Sequence, residues 1–243
     1  MTSIVQKFYL NSSRVYLERF VRRAAQSLPP GSLMLDAGAG PCPYRPLFSH
    51  VKYESADFCQ IEDLNYGQIT YVCDLTSIPV EDERYDLVLC TQVITELPEP
   101  QAAIQELYRI LKPGKELWIS AALFYAQLPI PYDYYRFAES GFRHLLEKAG
   151  FQVKEVDWLE GYSGTLAYKL KEAAKALPVS PRMYGGGLVG LLAGLLALVL
   201  KPAFALLSFL YGRLDVRFKN TQTGFPKNYA VIAVKPTATD SHA

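Results

Sequence analysis

Between residues 32 and 74 the chain three times builds a short apolar run that ends in an acid: Ser32–Asp36, Val51–Asp57 and Thr70–Asp74. A run this short and apolar, closed by one carboxylate, reads as a strand buried on both faces with its polar end at the sheet's edge. Tyr85–Cys90, Glu116–Ala122, Phe151 to about Trp158 and Asn228–Lys235 supply four further strands. Helical spacing separates them. Val15, Tyr16, Phe20, Val21, Ala24 and Leu28 share one face over residues 12–28, behind a Ser12-Ser13 cap candidate and before the stop Pro29-Pro30-Gly31. Residues 99–111 and 139–149 repeat the pattern, ended by Lys112-Pro113-Gly114 and by Gly150. Strands alternating with helices predict an α/β fold with a mostly parallel, Rossmann-like sheet covered on both faces.

The expected organisation has four parts: an N-terminal helical segment (1–30), the ligand-binding Rossmann-like domain (31–160), a basic and apolar helical insertion (161–227), and the last strand with a C-terminal tail (228–243). A chain of 243 residues can bury one large core. Its formal net charge of +1 argues against a general nucleic-acid binder, which needs a surplus of clustered cations. The four cysteines lie far apart with no C-x-x-C pair, which fits a reducing, cytoplasmic compartment. MTSIVQKFYLNSS has no uninterrupted apolar core, so export is not expected. No His/Cys/Asp/Glu grouping suggests a metal.

In an open parallel sheet, ligands sit beyond the carboxyl ends of the strands, where these acids collect. Gly38 and Gly40 follow Asp36 and let the backbone turn sharply and approach a ligand. Asp57 falls 21 positions after Asp36, near the separation at which a second-strand acid meets a ribose diol. Asp74 is placed to accept from an adenine amino group. A dinucleotide site is the competing reading, but Pro41 and Pro43 remove two amide donors that a pyrophosphate would use. Asp36 would repel a pyrophosphate and attract a ligand's ammonium, directly or through water. The loop suits an amino-acid-bearing nucleoside.

LMLDAGAGPCPY, YESADF, YVCDLTSIPVEDERYDLVLCTQVITELPEP and ELYRILKPGKELWIS, in this order and spacing, resemble the class I S-adenosylmethionine-dependent methyltransferases, in particular the type 11 group, over residues 33–152. The resemblance implies the sheet of that family, with an antiparallel last strand, and S-adenosyl-L-methionine as cofactor. It implies that Gly38 and Gly40 flank the methionine part, that Asp57 binds the ribose, that Asp74 with Leu75 holds the adenine, and that Thr91 or Gln92 lies beside the cofactor. Cys42 stands where the third glycine is usual, and Glu96-Leu97 where Glu-His is common.

Methyl transfer asks the protein to align an acceptor and exclude water, and a hydroxyl acceptor also needs a base. The three histidines, His50, His144 and His242, are poorly placed for that. The stretch Pro129–Phe137 should lie at the ligand-facing edge, so Tyr132, Asp133, Tyr135 and Arg136 are the acceptor-pocket candidates. The expected reaction is methylation of a small-molecule or lipid-linked acceptor. Two alternatives share the sheet: a nucleotide-dependent oxidoreductase and a non-catalytic, membrane-attached binding protein.

Residues 183–211 carry one charge, Lys201, beside Pro202. The first apolar arm, Leu188–Leu200, has 13 residues, short of the roughly 20 needed to cross a bilayer. Eight Lys and Arg against Glu172 and Asp215 give residues 165–220 a net +6, which anionic lipid attracts. The expectation is two short helices broken at Pro202, forming a re-entrant or in-plane membrane hairpin at the cytoplasmic face.

Overall fold

The computed structural model describes residues 11–61, 65–127 and 131–237. The first ten residues, Pro129 and Ile130 at the start of the aromatic stretch, and the tail from residue 238 lie outside this range. Two compact units form: Leu17–Leu159 with Asn228–Ala243, and Met1–Tyr16 with Glu160–Lys227. The helix α1 (Ser12–Ser27) contributes its first residues to one unit and the rest to the other.

The first unit holds a seven-stranded sheet: β1 (Leu33–Ala37), β2 (Lys52–Asp57), β3 (Tyr71–Val72), β4 (Tyr85–Thr91), β5 (Leu111–Ala122), β6 (Gln152–Trp158) and β7 (Asn228–Val234), in spatial order β3-β2-β1-β4-β5-β7-β6. β1 to β5 run parallel. β7 is antiparallel to both neighbours, pairing Ser120 with Ala230 and Val156 with Val231. The order reverses at β1 and β4, so a crevice opens outside their carboxyl ends.

Strand alternation sorts the core. Leu35, Val88, Leu117 and Ile119 meet Ile104 and Leu107 of α2 (Pro100–Ile110) and Phe142 and Leu146 of α3 (Glu139–Lys148) in one buried cluster. On the opposite face Trp118 stacks obliquely on Phe20 of α1, ring centres 4.9 Å apart. Two boundaries differ from expectation. β3 shrinks to two paired residues, because only Ala56 and Asp57 of β2 reach it. β5 begins directly after α2, since Gly114 takes φ +74° and donates its N–H to Lys235 O at 2.7 Å, turning Lys112-Pro113-Gly114 into an irregularity within the strand.

In the second unit, α4 (Tyr162–Ala176) lies along α5 (Gly187–Arg217). α5 is one continuous helix of 31 residues with Pro202 inside it, which corrects the expected pair of short helices. The proline removes one main-chain bond, and contacts on both sides hold the axis. The Lys201 ammonium donates to Lys175 O at 3.0 Å and Leu177 O at 2.9 Å, carbonyls at the end of α4. The Ser208 hydroxyl donates to Ala167 O at 2.7 Å. The segment before α5 packs against glycines: a Cβ at Gly190 would stand 2.5 Å from Pro181 O, and one at Gly194 2.6 Å from Val179 O.

Candidate functional site

The carboxyl ends of β1, β2 and β4 are built around tight backbone. Gly38 takes φ +77° and its N–H donates to Ala56 O at 2.8 Å, fastening the loop after β1 to β2. A Cβ there would lie 2.3 Å from Val93 Cγ2, so only glycine lets the loop approach the turn after β4. Gly40 takes φ +50° and donates its N–H to Asp57 Oδ2 at 2.8 Å. Cys42, where the third glycine is usual, keeps the left-handed backbone at φ +52°.

The N–H groups of Gly38, Ala39, Gly40 and Cys42 all donate within the protein, to Ala56 O, Ala56 O, Asp57 and Ala39 O. Pro41 and Pro43 have none. The four-residue 3-10 turn Arg45–Phe48 follows, with no long helix behind the loop. A pyrophosphate therefore finds no free amide between residues 38 and 43, which counts against the dinucleotide reading.

Two carboxylates flank this bend. Asp36, 2% exposed, accepts the Tyr53 hydroxyl. Burial pushes its carboxyl up to about 6; the Tyr53 bond and Arg45 oppose that shift, and Asp57 adds to it. Asp57, also buried, accepts Gly40 N–H on one oxygen and Cys59 N–H at 3.0 Å on the other. Each oxygen keeps a second lone pair for a ligand hydroxyl. The side-chain set suits a cationic nucleoside: buried negative charge for an ammonium and a sulfonium, and an acceptor for a diol.

The remaining sequence-predicted positions divide. Thr91 ends β4, and Gln92 takes φ +61°, its backbone and side-chain N–H groups bonded to the Ser120 hydroxyl at 3.2 and 3.0 Å. Leu75 is buried. Asp74 is exposed, and its Oδ1 accepts both the N–H and the hydroxyl of Thr76 at 2.8 Å, bracing the turn toward Pro79.

The loop after β5 is tied to the turn after β4: Tyr134 and Tyr135 donate their N–H groups to Thr95 O at 3.3 and 3.0 Å. Asp133 and Arg136 form an ion pair of 2.7 Å, with Arg136 also bonded to Tyr135 O. Tyr132 meets Phe58 edge to face at 5.4 Å, drawing this loop to the end of β2. Tyr135 lies stacked on Phe137, its hydroxyl bonded to Pro98 O.

Glu96, in the turn Ile94–Glu96, is half-buried and feels both Asp57 and the Asp133–Arg136 pair. Burial pushes its carboxyl up to about 7; Asp57 and Asp133 add to that, and Arg136 opposes it. Sequence reasoning passed over Tyr53, Phe58, Cys59 and Val93. Tyr53 had a signal, since it shares a strand face with Asp57 at a period of two. Cys59, at φ +55°, had none. Among the four described non-glycine residues with left-handed backbone, Cys42, Cys59 and Gln92 all follow strands at this edge, where strain commonly marks a site.

Residues 35–119 match the profile of a methyltransferase domain. Among curated proteins, "Probable tRNA methyltransferase 9B" of Homo sapiens is 34% identical over 105 residues, 41% of this chain and 23% of that protein. The ubiquinone biosynthesis O-methyltransferase of Pseudomonas entomophila is 33% identical over 58 residues, 24% of each. The chain thus spans about a quarter of the length of the curated relatives it matches. Among solved structures, the cyclase SpnF aligns with a TM-score of 0.56 at 19% identity, covering 91% of this chain and 82% of that one. Phosphoethanolamine N-methyltransferase 2 of Haemonchus contortus, in complex with S-adenosyl-L-methionine, aligns with a TM-score of 0.52 at 18% identity, covering 93% of this chain and 53% of that one. With the sheet order, the glycine bend and the strand-end acids in place, residues 35–119 match a methyltransferase domain, on a sheet with the fold of the class I S-adenosylmethionine-dependent methyltransferases.

Proposed function

We propose that this chain is a cytoplasmic enzyme that transfers the methyl group of S-adenosylmethionine to the oxygen of a small-molecule or lipid-linked acceptor. The observation that carries the reading is the pair of buried carboxylates, Asp36 and Asp57, set on either side of a glycine bend whose own amides are already bonded. In this reading Asp36 faces the ligand's ammonium, Asp57 the ribose, and Leu75 packs against the adenine, with Asp74 at its rim. Thr91 and Gln92 lie beside the cofactor. Bound S-adenosylmethionine would supply an electrophilic methyl carbon on a sulfonium that leaves as neutral sulfur.

The chain's own residues then do three things. The loop of Tyr132, Asp133, Tyr135 and Arg136 forms one wall of the acceptor pocket. Its aromatic rings exclude water. Glu96 would serve as the base for an acceptor hydroxyl, holding its proton once the oxygen has accepted a methyl group from the bound donor, whose sulfur would leave with the electron pair. A carboxyl held near neutrality is matched to that task.

The relatives' names divide over the acceptor: one concerns tRNA and another a ubiquinone pathway. The near-neutral overall charge favours the small or lipid-linked molecule. Calorimetry with S-adenosylmethionine and its demethylated product tests the cofactor site; heat from both is expected, and silence from both overturns the proposal. Incubation with isotopically labelled methyl donor and separate lipid, metabolite and tRNA fractions tests the acceptor. Label in the lipid or metabolite fraction supports the reading. Label in tRNA alone overturns the acceptor class, and heat without label in any fraction favours a binding protein over an enzyme.

A further inference from the structure

The second unit carries a surface that methyl transfer does not use. Along α5 the buried residues Gly190, Gly194, Ala197, Ser208, Gly212 and Asp215 recur at spacings of three, four and eleven, a single stripe facing the rest of the unit. Diametrically opposite, at 100° per residue, lie Leu188, Leu192, Leu195, Val199, Leu206 and Leu210, all exposed; Leu188 is 71% and Val199 68% accessible. The exposed arc covers about half the circumference. It holds no charged residue from Leu188 to Gly212, because Lys201, the one cation in that span, sits beside the buried stripe with its ammonium on the last carbonyls of α4.

Cations mark both ends of this arc. Arg213 and Arg217 continue the exposed face at its C-terminal end, and exposed Arg182 stands just before its start. Asp215 is buried, leaving no acid on the face.

We propose that α5 is a membrane-docking helix that lies in the plane of an anionic lipid surface, its leucine arc immersed in the acyl boundary and Arg182, Arg213 and Arg217 among the headgroup phosphates. An arc of apolar side chains about 25 residues long presents roughly 38 Å along the surface. A second copy of the chain fits this face poorly. In an antiparallel pair Arg182 would meet Arg213 and Arg217 of the other copy, and in a parallel pair each cation would meet its counterpart. A bilayer crossing fits no better, since the stripe from Gly190 to Asp215 is covered by the chain itself and includes a buried carboxylate.

Flotation of the purified full chain on vesicles tests this, and it needs no cofactor, so its result is separate from that of the calorimetry. The chain should float with vesicles of phosphatidylcholine and phosphatidylglycerol, and less well with phosphatidylcholine alone or in high salt. Leu192→Glu with Val199→Glu, both on the exposed arc, should abolish flotation while the circular dichroism spectrum is kept. Arg213→Gln with Arg217→Gln should weaken binding to the anionic vesicles roughly fivefold per charge. Fluorophores at Leu192→Cys and Leu206→Cys, with Cys59 and Cys73 replaced by Ser, should report equal, shallow depths to lipid-borne quenchers. Depths differing by roughly 20 Å would mean a crossing helix and overturn the in-plane reading. Absence of flotation from both vesicle types overturns the proposal outright, and a stable dimer in light scattering would then assign the arc to a second copy.

Discussion

Asp36 is held at a cost to the fold. Burial raises its carboxyl from the ordinary value of 3.8 to about 6, so the folded state keeps a proton that the unfolded chain has already lost. The stability contribution of this group is therefore full below pH 4 and is lost as pH rises toward 6, up to about 3 kcal/mol. Asp36→Asn should raise the melting temperature at pH 7.5 and weaken S-adenosylmethionine binding at least tenfold, measured by calorimetry on the same sample. A drop in both would mean that Asp36 serves the loop rather than the ligand. Glu96 titrates higher, near 7. Once an acceptor is in hand, kcat should climb with pH through about 7, and Glu96→Gln should remove that limb and lower kcat roughly a hundredfold, with cofactor affinity unchanged. At this scale the strand-end acids were legible because a carboxylate closing an apolar run has few other reasons to be there. Cys59 was not, since a left-handed φ at such a residue is imposed by neighbouring strands rather than by its own side chain.

At the scale of elements, periodicity located the strands of the sheet and the helices α1 to α3 to within about five residues, whereas α4 lay undivided inside the helical insertion and α5 was read as two; the failures have physical causes. The sequence around Pro202 reads as a break because a proline in a helix interior forfeits one backbone bond and clashes with the preceding turn. The chain compensates through tertiary contacts, Lys201 on the end of α4 and Ser208 on Ala167, which local pattern cannot reveal. Lys201→Met should thus destabilise the protein by about 1 kcal/mol, read in thermal denaturation, through the uncapped carbonyls of Lys175 and Leu177. Vesicle flotation should survive the change, because Lys201 lies beside the buried stripe. The shortness of β3 was equally hidden: Thr70–Asp74 has strand character throughout, but pairing ends where its neighbour does.

For the whole molecule, the sheet and its strand order follow from alternating elements, whereas the two-unit division is invisible in a linear reading, since each unit draws on two separate segments of chain. Exposed leucines on α5 were likewise unreadable from composition, which does not say which side of a helix its own protein covers. The antiparallel placement of β7 between β5 and β6 has a consequence for modularity. Leu159 donates its N–H to Asn228 O at 3.0 Å and Trp158 stands opposite Tyr229, so the polypeptide exits and rejoins the sheet at one doorway. The connectivity of the sheet is indifferent to the size or chemistry of what hangs between those two residues. Such a doorway lets a lineage exchange one accessory attachment for another, or shrink it to a hairpin turn, without rethreading a single strand.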